Sequence, residues 1–98
     1  MSMDHRLRGL FESLIDNYSS PHQIRLFVEA AQDFKPYIKS EGDLVFGWLM
    51  GVLEAGFTGL IFSTEKRAPT KEELVEVHSI LKRRGIELMN IINKEIMR

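Results

Sequence analysis

Cysteine is absent from these 98 residues. That excludes a disulfide framework, a thiolate nucleophile and any cysteine-ligated zinc site. A surplus of one charge is missing as well: 13 Lys and Arg stand against 14 Asp and Glu, for a formal net charge of -1. Disordered chains combine low apolar content with high net charge, and 44% hydrophobic residues argue against that class. A generic nucleic-acid binder carries a basic excess, which this composition lacks. Neither a G-x-S-x-G turn nor an H-E-x-x-H helix occurs, and the repeated Glu-x-x-His motifs of a di-iron bundle are missing. His5, His22 and His78 are far apart, without carboxylates at the spacings a clustered site needs, so neither metal nor cofactor is expected. No glycine pattern follows a strand, which removes phosphate-loop readings. Internal repeats and low-complexity tracts are absent. The stretch Met1 to Leu10 carries Asp4, His5, Arg6 and Arg8 and lacks the unbroken apolar core of a signal peptide, so the expected compartment is the cytoplasm.

What remains is enough for one core. A chain of 11.3 kDa should expose about 5,700 Å² when folded and hide about 65% of its extended surface. The spacing of apolar residues predicts an all-α fold, a single helical domain built as a small four-helix bundle. Its helices are expected over about 4–17, 20–35, 43–62 and 70–97. Leu7, Leu10, Phe11, Leu14, Ile15 and Tyr18 form the first stripe. Ser19 or Ser20 caps the second helix, with Pro21 at a position where its missing N–H costs nothing. Ile24, Phe27, Val28, Ala31 and Phe34 continue that stripe until Pro36 discourages helix at Lys35.

The third segment contains the one membrane candidate, Leu44–Phe62, in which Glu54 is the single formal charge. Placed around a helix at 100° per residue, Val45, Phe46, Trp48, Leu49, Val52, Leu53, Phe57 and Leu60 fill one half. Asp43, Gly47, Gly51, Glu54, Ala55 and Thr58 fill the other. That asymmetry fits a buried helix of a soluble bundle better than a membrane span. Gly47, Gly51, Ala55 and Gly59 recur every four residues. Glycine inside a helix costs up to about 1 kcal/mol relative to alanine, so the ladder needs compensation. Close packing of the helix within the chain is the simpler explanation; a ligand or partner backbone against Gly47 and Gly51 is the functional one.

The fourth helix has the clearest start, a Thr70-Lys71-Glu72-Glu73 capping box. Leu74, His78, Leu81, Gly85, Leu88 and Ile92 then make a seam spaced 4, 3, 4, 3 and 4, in register through Gly85. One long helix is expected, the alternative being a break at that glycine. Its length of about 42 Å exceeds the roughly 30 Å of the third helix. The surplus should leave apolar surface for a second copy. The sequence therefore predicts a homodimer through Val77, Ile80, Leu81, Leu88, Ile91, Ile92 and Ile96.

Glu54 and His78 could meet as a proton-transfer or ligand-anchoring pair. The plainer alternative has Glu54 looking into solvent and His78 bonding a backbone carbonyl. The function expected is a non-enzymatic interaction or scaffold module acting as a homo-oligomer. Two alternatives stand beside it. One is a nucleic-acid-associated regulator using Lys82, Arg83 and Arg84. The other is a small-molecule binder at a face formed by Gly47, Gly51, Glu54, Thr58 and His78.

Overall fold

Each helix begins where a small oxygen-bearing side chain can accept an unpaired backbone N–H. Asp4 accepts from Leu7 at 2.8 Å, Ser20 from Gln23 at 3.4 Å, Ser40 from Asp43 at 3.1 Å, and Thr70 from Glu73 at 3.1 Å. The computed structural model describes residues 3–98. In order these form α1 (His5–Tyr18), α2 (Pro21–Ala31), a 3₁₀ segment (Gln32–Tyr37), α3 (Glu41–Glu65) and α4 (Lys71–Ile96). No strand occurs among the described residues.

Helix α2 ends sooner than its apolar pattern predicts. After Ala31 the backbone tightens into the 3₁₀ segment, which runs through Pro36 to Tyr37. Three residues per turn instead of 3.6 rotates the later side chains off the core stripe. Phe34 is consequently 47% exposed, in a T-shaped contact with Trp48 at a centroid distance of 5.9 Å. Helix α3 ends at Lys66, the one described non-glycine residue with positive φ, at 58°.

Helices α3 and α4 pair as an antiparallel hairpin of 25 and 26 residues. The latter passes through Gly85 without a break. Helices α1 and α2 follow one another along that hairpin. Met3 N–H and Arg8 meet Glu76, Glu12 and Asp16 meet Arg84, and Arg25 meets Glu95. Along α4 they therefore come in chain order, α1 beside Glu76 and Arg84 and α2 beside Glu95. Against α3 the order is reversed: Phe11 stacks edge-on to Phe57 at 5.4 Å, and Phe27 meets Trp48 at 6.2 Å. The four helices form three columns, the first broken at Ser19-Ser20-Pro21.

This arrangement overturns the expected use of α4. Neither α1 nor α2 matches α4 alone, but their 14 and 11 residues together come close to its 26. The residues assigned to a homodimer interface lie largely inside the chain itself. Val77, Leu88 and Ile92 are fully buried, Ile80 and Leu81 nearly so, and Ile91 and Ile96 are half-buried against the same core. The seam facing the first column is Val77, Ile80, Leu81, Leu88 and Ile92, flanked by buried Glu73 and Glu95. Leu74 and Gly85 sit at its margin, and His78 is exposed.

By length and composition α3 could cross a membrane, with a mean hydropathy of 1.7 in its best window; 28% of that window is buried within the chain. The molecule is drawn out, with extents of 41 × 22 × 19 Å and a radius of gyration of 14.4 Å against about 12.6 Å for a compact chain of this length.

Glu73 is a buried carboxylate held by several bonds. It is 1% exposed, accepts from Thr70 N–H at 2.8 Å, and takes two bonds from the Arg67 guanidinium at 2.8 and 3.0 Å. Those Arg67 bonds, opposed by burial and reinforced by the Thr70 N–H, lower its pKa from 4.5 to about 2. Glu73→Gln should cost about 1–3 kcal/mol in urea unfolding near neutral pH, because buried donors are left without an ionised acceptor. A depressed carboxylate stabilises fully above its unfolded pKa. The difference between wild type and Glu73→Gln should therefore shrink as pH falls from about 4.5 towards about 2. A pH-independent difference would contradict this assignment.

Candidate functional site

The first column covers one face of the α3/α4 hairpin. On the other face the two helices leave a groove of about 640 Å³. Its α3 wall is Phe46, Met50 and Glu54, and its α4 wall is His78, Lys82, Gly85, Ile86 and Met89. These positions repeat at helical spacings of 3 and 4, so each set forms a single stripe. Between His78 and Asn90 the groove runs for about 18 Å, or three helical turns. Gly85 has open space where a Cβ would stand, which widens the floor. Ile86 beside it is 80% exposed, an unusual position for an aliphatic side chain bordering a groove. Met50 and Met89 supply unbranched, polarisable surface that adapts to differently shaped apolar partners.

Polar groups edge this groove rather than line its floor. Glu54 Oε1 and His78 Nε2 meet across its mouth, so the structure does bring these two residues together. They do so at the surface, with side-chain exposures of 45% and 58%. His78 is therefore not on the core-facing seam where the 4-3-4 spacing put it. Leu81, Leu88 and Ile92 of that seam are buried as expected, but in its first turns the packing of α1 and α2 buries Val77 and Ile80 in place of Leu74 and His78. With an exposed partner on each side, the pair is an inter-helix tether at the groove's end. Among the described residues no group of three histidine or carboxylate side chains is placed to hold a metal ion.

The glycine ladder does not pack within the chain. Gly47, Gly51 and Gly59 are exposed, and a Cβ built on any of them meets nothing within 4 Å. Ala55 and Thr58 share that outer face, Thr58 outside the groove. The close approach lies instead at Gly56, where a Cβ would come within 2.5 Å of Leu14 Cδ2, and at Gly42, 3.3 Å from Asn93 Oδ1. Neither belongs to the four-residue ladder, so the periodicity pointed at the wrong glycines.

The basic cluster is also rearranged. Arg84 turns inward and is 17% exposed, bonded to Glu12 at 3.0 Å, Asp16 at 2.8 Å and Glu87 at 2.6 Å. The Glu87 bond, with Asp16, raises its pKa further above the ordinary guanidinium range. Arg83 lies 3.6 Å from Glu12, and Lys82 belongs to the groove. The carboxylates Glu12 and Asp16 of α1 neutralise much of the charge a phosphate backbone would need from Arg83 and Arg84.

Met50, Ile86 and Met89 went unrecognised in the sequence. The 4-3-4 run Asp43, Gly47, Met50, Glu54 was the available signal, obscured because half its members are not apolar. No protein-family model matches the chain, and no curated protein or solved structure is similar to it at a significant level.

Since the ladder has open space, Gly47→Ala, Gly51→Ala and Gly59→Ala should each raise the stability of the single chain by up to about 1 kcal/mol through helix propensity. Gly56→Ala should gain less or lose stability, because Leu14 must move. Thermal unfolding of the four variants at low concentration tests this, and equal effects at all four positions would refute it.

Proposed function

We propose that this chain is a non-catalytic helical interaction module whose docking surface is the α3/α4 groove, and that the groove takes the apolar face of one further helix. The observation that carries this reading is the asymmetry of the hairpin. One of its faces is filled along its whole length by the column of α1 and α2. The opposite face, bounded by the same two helices, remains open and apolar. A groove between two antiparallel helices has the shape of a third, and recognition of this kind places residues at i, i+3, i+4 and i+7 into it. The solvent-accessible area of 6310 Å² points the same way, exceeding the roughly 5,700 Å² expected for this mass.

In this reading the chain works in the cytoplasm. The unpacked half of α3 presents Gly47, Gly51, Glu54 and Thr58, a poor surface for lipid. A second reading is a small apolar ligand anchored by Glu54 and His78. It draws on the volume of the groove, which lies within the roughly 300–1,000 Å³ typical of ligand pockets.

Titration of the isotope-labelled chain with a designed amphipathic helix of about twelve residues should shift amide resonances at Met50, Leu81, Lys82 and Met89. Ile86→Asp should abolish the shifts while changing stability by less than about 0.5 kcal/mol, since Ile86 is 80% exposed. Shifts confined to α1 and α2, or none at millimolar peptide, would overturn the docking reading.

A further inference from the structure

Resting on the reading of the open α3/α4 face as a docking surface, we propose that a second copy of this chain covers it, bound by an isologous two-fold contact that sets α3 of each protomer on α4 of its partner, with the two grooves facing each other, instead of inserting a single helix.

The two edges of the open face carry opposite charge. Asp43 and Glu54 stand on the α3 edge, where the steps from Asp43 to Gly47, Met50 and Glu54 keep them on one stripe. Lys82 and His78 stand on the α4 edge, and Lys82 forms no ion pair among the described residues. Two two-fold arrangements bring this face onto itself. An axis perpendicular to the helices places α3 on the partner's α3 and opposes like charges. An axis parallel to the helices places α3 on the partner's α4, so each acidic edge meets a basic one. Isologous contacts repeat every pairing twice, which doubles the effect of this complementarity.

The register within one chain then fixes what meets. Glu54 lies level with His78, and Gly42 with Asn93. A two-fold axis along the helices preserves height, so Glu54 comes within a turn of the partner's Lys82. Ile86 comes level with the partner's Gly47. The most exposed aliphatic side chain of α4 thereby meets a residue of α3 that has nothing within 4 Å of its Cβ position.

Size fits as well. Helices of this length and two helix diameters make a face of roughly 37 by 20 Å, on the order of 750 Å². A stable pairwise interface needs about 800 Å² from each partner. A formal charge of -1 gives two copies little reason to repel.

The test combines sedimentation equilibrium with charge exchange. The wild-type chain should be dimeric at about 100 μM, and Glu54→Lys or Lys82→Glu alone should weaken association about tenfold or more. An equimolar mixture of those two variants should recover it, because both edge pairs are restored with inverted sign. Gly47→Ala should weaken dimerisation while stabilising the single chain, a split that damage to folding cannot produce. Because the native chain lacks cysteine, mixing Gly47→Cys with Ile86→Cys under mild oxidation should give a disulfide-linked heterodimer. Circular dichroism confirms that each variant folds. A dimer indifferent to both charge variants, or failure of the mixture to recover, overturns this geometry. A wild-type monomer at about 100 μM overturns the second copy altogether. If that monomer still takes the designed helix, the docking reading survives; if it ignores the helix, both readings fall.

Discussion

The fold depends on the burial of one α4 seam, Val77, Ile80, Leu81, Leu88 and Ile92, beneath two short helices set end to end. Each fully buried aliphatic side chain of this kind contributes about 1.5–3 kcal/mol. No single short helix could cover a seam that long. The break at Ser19-Ser20-Pro21 lets the chain do so with two helices. Arg84 sits near the middle of α4 with its guanidinium bonded to Glu12 and Asp16, pinning the C-terminal half of α1 to the seam. Phe11 against Phe57 and Phe27 against Trp48 do the same on the α3 side.

Covering one face of a hairpin leaves its other face to be explained. The open side is not a solvated surface of ordinary composition. It has an apolar floor between edges of opposite charge, and its glycines stand where no atom of the chain approaches. Helical glycine without a local packing reason is a stability cost. Here three such residues, Gly47, Gly51 and Gly59, share the outer face of α3. The same positions that weaken the isolated chain are those at which another backbone could come close. Stability of the monomer and capacity for assembly are thus set against each other on one helix.

Much of the local structure could be read directly. The capping box at Thr70 and Glu73, the proline at the first turn of α2, the division of α3 into an apolar half and a small-residue half, and the continuity of α4 all follow from interactions within a few residues. The pairing of Glu54 with His78 was one of two alternatives the sequence left open, and it forms at the surface instead of in the core. The end of α2 was harder, because the change from 3.6 to three residues per turn leaves no mark in an apolar pattern. The glycine that accommodates Leu14 was invisible for a different reason: Gly56 lies outside the periodic set, and its neighbour is supplied by α1.

By itself the sequence determined an all-α chain, where its helices start and which halves of them are apolar, since propensity, capping and periodicity act along the chain. Only the tertiary structure decided that Val77 and Ile80 face inward where Leu74 and His78 do not, that α1 and α2 divide the length of α4 between them, and that Arg84 turns in among carboxylates while Lys82 forms no ion pair among the described residues. Those outcomes depend on which elements approach each other and from which side. Steps of three and four run equally through Val77 and through His78, so only the packing of the other helices could separate them.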